Sequence, residues 1–273
     1  MDYIKDVFLG QIRTDNSDAL NEASLLLDSW KALTDIDVLR EHGMKKPLLQ
    51  SASVIKKCID AMHSYMQTLP LYCEHFLTMM CTTVCMHVTL DLKFPYVSQK
   101  PVGSSRPQVM QYKEICLAAY RGLVQPESED KRIISAQWAK DDDINRFLRS
   151  LPNWVSLRAT AGDPSKVESP EAVEQRNVKE ARVLKDNLGN TKISDHEILY
   201  DMGQLKSLGQ LQESLEWFSV GITRLAERFN HSNMNAIGGL PQLSNNSVQT
   251  LMSLAKEFEN IADTCLLVLH IEV

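Results

Sequence analysis

The sequence predicts an all-α fold, and three observations lead to this prediction. Apolar residues recur at helical spacing along most of the 273 residues, whereas strict strand-like alternation is confined to one short stretch. The longest periodic segment runs from Ile198 to Phe229, which corresponds to roughly 50 Å of helix at about 1.5 Å per residue. Helices of this length are typical of rods, bundles and coiled coils rather than of compact enzymes. We therefore expect an elongated array of helical bundles.

Two apolar helical faces are predicted in the N-terminal part of the chain. The first begins with Ile4, Val7, Phe8 and Ile12. The second ends at Pro70, because proline has no N–H group and cannot continue a helix. The apolar residues of this second face are Leu48, Leu49, Ile55, Cys58, Ile59, Met62, Met66 and Leu69.

Residues 86–110 interrupt the helical pattern, and we interpret them as an insertion. They begin with strand-like alternation at Val88, Leu90, Leu92 and Phe94, and a stretch rich in proline, glycine and serine follows. Removing these 25 residues brings the flanking helical segments into one heptad phase, as in a coiled coil. A removal restores this phase by chance about one time in seven. The resulting seam consists of Leu77, Met80, Val84, Tyr112, Cys116, Ala119 and Leu123.

The segment 134–154 predicts a short, well-capped helix between two tryptophans. Three aspartates, Asp141 to Asp143, stand where the helix begins, and the free N–H groups there favour negative charge. Pro152 ends the helix. The apolar face is formed by Ile144, Phe147, Leu148 and Leu151. The tryptophans Trp138, Trp154 and Trp217 either pack between helices, which we expect, or anchor a partner.

The C-terminal part predicts two further helical segments after a polar linker. Residues 158–169 form the linker, and Pro170 suits the first turn of the next helix. Ser194 and Glu197 have the spacing of a capping box and predict the start of the long helix. A second polar stretch, residues 230–247, precedes the last helix. That helix carries Val248, Leu251, Leu254, Phe258, Ile261, Cys265, Val268 and Leu269.

These patterns divide the chain into three parts. We expect an N-terminal helical bundle over residues 1–157, the linker at 158–169, and a C-terminal helical segment over 170–273. No stop signal follows the last periodic residue, so we expect the sequence to be cut within a helix.

Composition excludes several classes of function. The chain has 35 acidic and 29 basic residues and a net charge of −6, and no basic stripe suited to nucleic acid. The uncharged run from His75 to Leu90 is too short to span a membrane. The six cysteines form no CxxC pair, and no apolar signal core begins the chain. We therefore expect a cytoplasmic chain with free thiols.

Two clusters carry metal-binding residue types, and in both we favour a structural role. The cysteines and histidines Cys73, His75, Cys81, Cys85 and His87 match no common zinc spacing and are more simply core residues. Asp141 to Asp143 resemble the magnesium-binding aspartates of helical prenyl-type synthases, but Asn145 stands where another aspartate is needed. The phosphate-cradling and nucleophile motifs are missing. We predict no catalytic, cofactor-binding or metal-binding residues.

Several segments of the sequence resemble the exocyst complex component 4 family. The resemblance covers nearly the whole chain and implies an internal fragment of a longer family member. The matching segments are Tyr3–Phe8, Lys46–Ser51, Tyr112–Cys116, Ala118–Gly122, Ile134–Trp154, Asn187–Gly189, Glu213–Trp217 and Cys265–His270.

The resemblance implies a function as well as a fold. It implies a tethering rod of helical bundles, of the type called CATCHR, and a non-enzymatic scaffold subunit of the exocyst that tethers secretory vesicles to the plasma membrane in exocytosis. The implied partners are other exocyst subunits, with small GTPases and membranes contacted indirectly, and no nucleic acid or small-molecule substrate. The implied location is cytoplasmic, peripheral at the plasma membrane and secretory vesicles. The alternatives are a magnesium-dependent helical prenyl-type synthase and a generic helical adaptor.

Overall fold

The computed structural model describes eleven segments of the chain, and these are the residues discussed below. They are residues 4–25, 32–33, 35–41, 43–44, 46–85, 87–90, 108–124, 134–160, 168–188, 201–234 and 243–272.

Helices dominate the described residues, so the all-α prediction is confirmed. A π-helical turn, Ile4–Phe8, precedes the first α-helix, and a 3-10 turn, Pro70–Tyr72, precedes the fourth. The α-helices are α1 (Leu9–Leu25), α2 (Ile36–Glu41), α3 (Gln50–Thr68), α4 (Cys73–Cys85), α5 (Tyr112–Val124), α6 (Ile134–Trp138), α7 (Asp142–Arg149), α8 (Pro152–Thr160), α9 (Pro170–Leu188), α10 (Met202–Met234) and α11 (Asn245–Glu272).

Strands in the described part of the chain are limited to two short antiparallel pairs. Strand β1 (Ala32–Leu33) pairs with β2 (Leu48–Leu49), and β3 (His87–Leu90) pairs with β4 (Gln108–Gln111).

The chain divides into two compact units. Unit 1 comprises Met1–Leu123 and Gly203–Leu266, and unit 2 comprises Val124–Met202 and Leu267–Val273. The division of the sequence at residues 158–169 stays a prediction. None of the described helices is both long and apolar enough to cross a membrane.

The core of unit 1 centres on three buried aromatic rings. Tyr112 of α5, Phe218 of α10 and Phe258 of α11 lie with ring centroids 5.1 to 6.1 Å apart. The Tyr112 hydroxyl is 3.2 Å from Ser51 Oγ of α3, which gives the buried phenol a polar partner. Tyr112 belongs to the predicted heptad seam, whose residues in α4 and α5 are buried except Ala119, which is half-buried.

The predicted face of α3 is confirmed, with a correction at its N-terminal end. Ile55, Ile59 and Met62 are fully buried. Leu48 and Leu49 are also buried, but they lie in strand β2 and not in the helix. The backbone of this strand pairs with β1, and Leu49 N donates to Ser214 Oγ over 2.8 Å. Tertiary pairing therefore overrides the helical spacing of these two leucines.

The first predicted face is also partly different in the structure. Ile12 is buried in α1 as expected, whereas Val7 is 46% exposed. Val7 lies in the π-helical turn, where each residue advances by a smaller angle than in an α-helix. The apolar face is therefore shifted away from Val7.

The predicted start of the long helix is wrong. The helix begins at Met202, and Asp201 directly before it is not helical. An aspartate is favourable at this point, because its negative charge lies next to the positive end of the helix dipole. The capping-box residues Ser194 and Glu197, together with Ile198, lie outside the described residues. The helix also runs on to Met234, and α11 begins at Asn245, so the second polar stretch is shorter than its composition suggests.

The ends of the predicted insertion lie side by side. His87 pairs with Gln111 and Leu90 with Gln108, so the chain leaves α4 and returns to α5 at nearly the same place. The strand-like residues Leu92 and Phe94 lie outside the described residues. Two ends that lie together are expected for a segment that is inserted into a helical seam.

Deletion of residues 86–110 is expected to raise the melting temperature. The deletion removes a long closed segment and restores the heptad phase between Val84 and Tyr112. Differential scanning calorimetry of the deleted and full chains measures the effect. A lower melting temperature would show that the segment is an integral part of the fold.

His63 in α3 is expected to make unit 1 sensitive to acid. Burial lowers the pKa of this imidazole below its usual 6.5; the positive charges of Arg228 and Lys56 also lower it, and Asp60 opposes them. The folded chain therefore favours neutral His63, and the unfolded chain takes up the proton more readily as the pH falls below about 6.5. The ring also contacts Phe229, with centroids 5.6 Å apart.

Replacing His63 with glutamine separates this proton linkage from ring packing. At about pH 7.5 the difference in stability between the two chains reflects packing alone. Between about pH 7.5 and 5.5 the original chain should lose more stability than the variant, as measured by urea unfolding. Parallel pH profiles for the two chains would contradict the assignment.

Candidate functional site

The segment between Trp138 and Trp154 folds around a capped helix, as predicted. Asp141 is the N-cap of α7, and its Oδ1 accepts hydrogen bonds from the backbone N of Asp143 (3.1 Å) and Ile144 (2.9 Å). These bonds satisfy N–H groups that have no partner within the helix. The helix ends at Arg149, and Pro152 begins α8, so the proline separates the two helices.

Trp154 of α8 is a packed core residue of unit 2. It is buried, and its ring lies 6.3 Å from the ring of His270 in α11. The guanidinium carbon of Arg149 lies 5.7 Å from the centre of the indole, in the geometry of a cation–π contact. Packing between helices is therefore confirmed for Trp154, whereas Trp138 and Trp217 are half-buried.

A buried carboxylate lies next to this tryptophan. Glu180 of α9 is only 5% exposed; it accepts a hydrogen bond from Asn153 N (2.7 Å) and lies 3.3 Å from His270 Nε2. Burying a carboxylate is unfavourable unless it has polar partners, and here the backbone N of Asn153 donates to it while the His270 ring lies beside it. The pair holds α9 to α8 and to the end of α11.

Arg176, one turn before Glu180, extends the polar contact between α8 and α9. Its Nε donates to Asn153 Oδ1 (2.5 Å), its Nη1 donates to Ser156 Oγ (3.0 Å), and it forms an ion pair with Glu168. Ser156 Oγ in turn donates to Glu168 (2.7 Å). These contacts join Asn153 and Ser156 of α8 to Arg176 of α9.

The sequence analysis did not single out Arg176, Glu180 or His270. A signal was present, because the inner face of α9 includes Val173, Arg176, Glu180 and Leu184 at helical spacing. Two charged residues on an otherwise apolar stripe indicate a polar contact across the helix interface. His270 similarly interrupts the apolar run at the end of α11.

Two of the three consecutive aspartates, Asp141 and Asp143, contact groups of helix α7. Asp141 faces the backbone, Asp143 lies 3.5 Å from Arg146, and Asn145 donates to Ala139 O over 2.8 Å. Within the described segments, no three His, Cys, Asp or Glu side chains are grouped so that they could hold a metal ion. The structure does not support the magnesium-dependent synthase.

The assignment of the cysteine- and histidine-containing stretch to the core is wrong for the three described side chains, because Cys73 and Cys81 are only half-buried and His75 is exposed. Cys73 Sγ donates to Met66 O (3.3 Å), and Cys81 Sγ donates to Ser247 O (3.5 Å). Burial raises the pKa of the Cys73 thiol, which favours the protonated form. His75 is exposed beside Tyr72, and the side chains of Cys85 and His87 lie outside the described part of the chain.

Replacing Asp141 distinguishes a helix cap from a metal ligand. Asp141→Ala should lower the free energy of unfolding by about 1 kcal/mol, whereas Asp141→Asn should retain most of the stability, because asparagine also caps helices well. Thermal unfolding with and without Mg²⁺ provides the measurement. A Mg²⁺-dependent increase in melting temperature that Asp141→Asn abolishes would show instead that Asp141 binds the metal ion.

Comparison with known proteins shows which family the chain belongs to. No protein-family model matches it. Exocyst complex component 4 of Drosophila melanogaster is 35% identical to it over 292 residues, which cover 99% of this chain and 27% of the relative. Exocyst complex component 4 of Homo sapiens is 35% identical over 279 residues, 99% of this chain and 26% of the relative. The chain belongs to the exocyst complex component 4 family.

The match covers only part of the length of each relative. The chain spans about a quarter of the length of these relatives. A third family member, from Caenorhabditis elegans, is 36% identical over 153 residues, or 51% of this chain. The resemblance inferred from the short motifs is confirmed, and the family is one of subunits of the exocyst complex.

Proposed function

We propose that this chain is a non-enzymatic scaffold segment of an exocyst subunit and acts in the tethering of secretory vesicles to the plasma membrane. The observation that carries the proposal is the match to exocyst complex component 4 at 35% identity over 99% of the chain. The structure supports it, because the candidate cluster in unit 2 holds α8, α9 and the end of α11 together.

The proposed mechanism is mechanical. Helix α10 has 33 residues and is therefore about 50 Å long at about 1.5 Å per residue. Long helices with buried cores resist bending and can keep contact surfaces at fixed separations. A rod assembled from such bundles would bridge a vesicle and its target membrane through small contacts at each end.

The partners belong to the same proposal. We expect other exocyst subunits to contact this chain directly, and small GTPases, secretory vesicles and the plasma membrane to be reached through them. We accordingly place the chain in the cytoplasm, peripheral to the plasma membrane and to secretory vesicles. No cofactor or small-molecule substrate is needed for this function.

A segment exchange tests the proposal. The chain replaces the matching segment of full-length Drosophila exocyst complex component 4, and the tagged chimaera is purified from cells. We expect the other exocyst subunits to co-purify in amounts close to those recovered with the unmodified protein. The control carries an unrelated helical segment of equal length and should recover fewer subunits. A folded chimaera that recovers none of them would leave only the generic helical adaptor.

A further inference from the structure

Unit 2 contains a cavity of about 390 Å³ between α8, α9 and the end of α11. An arginine lies in its wall: the side chain of Arg176 is 22% exposed. The aliphatic residues Leu157 of α8 and Val173 of α9 also line the cavity. Among the described residues, the lining therefore combines two aliphatic side chains with the guanidinium group and with the polar side chains of Asn153, Ser156, Glu168 and His270.

The guanidinium of Arg176 is oriented by the protein itself. Asn153 Oδ1 accepts from its Nε (2.5 Å), and Ser156 Oγ accepts from its Nη1 (3.0 Å). Its Nη2 has no hydrogen-bond partner among the residues that the structure describes. An arginine fixed in this way loses little freedom on binding, and its planar fork suits a carboxylate.

A carboxylate of this chain already occupies one edge of the fork. Glu168 pairs with Nη1 and accepts a hydrogen bond from Ser156 Oγ (2.7 Å). The hydrogen bonds from Arg176 and Ser156 lower the pKa of Glu168, which keeps it charged. Glu168 is itself exposed, and ion pairs of exposed residues are weak. Another carboxylate can therefore displace it.

We propose that this cavity binds an acidic side chain of a partner protein, presented between aliphatic residues of a peptide segment, and that Glu168 competes for the same site. Arg176 contacts the carboxylate, and Leu157 and Val173 contact the flanking aliphatic groups. This interaction goes beyond the proposed scaffold function and does not depend on it.

The surrounding charges favour a carboxylate over a phosphate group. Glu168 lies at the site, and buried Glu180 lies behind His270, which lines the cavity. A phosphate carries nearly twice the negative charge of a carboxylate and is repelled more strongly by these two groups.

Fluorescence anisotropy with a labelled peptide tests the proposal on the full chain. The probe is a fluorescein-labelled hexapeptide of alternating glutamate and leucine with an amidated end, and the matched control peptide carries glutamine in place of glutamate. We expect the chain to bind the glutamate peptide and not the glutamine peptide. Glu168→Gln should tighten binding about two- to tenfold, because it removes the competing carboxylate.

Three further variants make the outcome decisive. Asp143→Asn removes the same charge from another exposed ion pair of unit 2 and should leave the affinity unchanged. Arg176→Gln should abolish binding, with circular dichroism as the check on folding. Leu157→Glu places a carboxylate at the exposed rim, where it should fold normally and also abolish binding.

Several results would overturn the assignment. Equal binding of the two peptides would exclude recognition of a carboxylate. Equal gains from Glu168→Gln and Asp143→Asn would show an effect of net charge alone. Inorganic phosphate that displaces the peptide as effectively as a free glutamate peptide would indicate a general anion site. Persistent binding by the folded Leu157→Glu variant would place the peptide elsewhere.

Discussion

Replacing Leu148 with aspartate is expected to lower the free energy of unfolding by about 3 kcal/mol or more. Leu148 is 3% exposed and lies in α7, and the neighbouring core residues Leu151 and Trp154 are also buried. The new carboxylate must either be buried in the apolar core or force the helix away from it. Urea unfolding followed by tryptophan fluorescence measures the loss.

The matched control is Val155→Asp in α8. Val155 belongs to the same unit but is 54% exposed, so its aspartate stays in water and should change stability by about 0.5 kcal/mol or less. Similar, small effects of the two substitutions would mean that the face of Leu148 is accessible to solvent. The segment between Trp138 and Trp154 would then be better interpreted as a surface for a partner.

Features determined by neighbouring residues were predictable from the sequence. The N-cap at Asp141, the end of α7 before Pro152 and the buried face containing Leu148 each depend on contacts within a few residues. Capping, proline geometry and helical periodicity are local rules, so the sequence of the segment contains the needed information. The start of α9 at Pro170 follows for the same reason.

Features determined by distant residues were not predictable in this way. Leu48 and Leu49 have helical spacing, but they pair with β1 and hydrogen-bond to α10, which the spacing cannot reveal. The start of α10 at Met202 likewise differs from the position that the capping-box pattern indicated. Local patterns can match more than one structure, and the tertiary partners decide between them.

The candidate site shows the same limit. Glu180 and His270 are 90 positions apart, and only the packing of α9 against the end of α11 brings them within 3.3 Å. The sequence could show that Glu180 interrupts an apolar stripe, but not which residue it meets. Arg176 and Glu168 are nearer in sequence, yet their shared partner Ser156 comes from another helix.

Polar contacts between helices also bear on how unit 2 can function in a scaffold. Contacts between α8 and α9 include the hydrogen bonds of Asn153 with Glu180, Asn177 and Arg176. Polar interfaces of this kind require specific geometry, so they fix the register of the two helices more closely than they raise stability. A partner that binds through Arg176 would thus contact a surface of defined shape.

Replacing Phe218 with alanine is expected to destabilise unit 1 by about 3–5 kcal/mol. Phe218 is fully buried, and its ring lies 5.1 Å from that of Phe258 and 6.1 Å from that of Tyr112. The substitution removes a large apolar group and two edge-on aromatic contacts, and the neighbouring helices α5 and α11 cannot close the cavity without moving. Guanidinium unfolding followed by circular dichroism measures the loss.

Val220→Ala on the same helix is the matched control for Phe218→Ala. Val220 is 41% exposed, so its truncation should cost about 0.5 kcal/mol or less. The double variant Phe218→Ala, Phe258→Ala should be more stable than the sum of the single effects predicts, because both single variants remove the same ring contact. Additive effects, or a loss below about 1 kcal/mol for Phe218→Ala, would mean that α5, α10 and α11 do not share this aromatic core. The proposed scaffold function would then lack its rigid element, since the bundle of unit 1 is held together at these three rings.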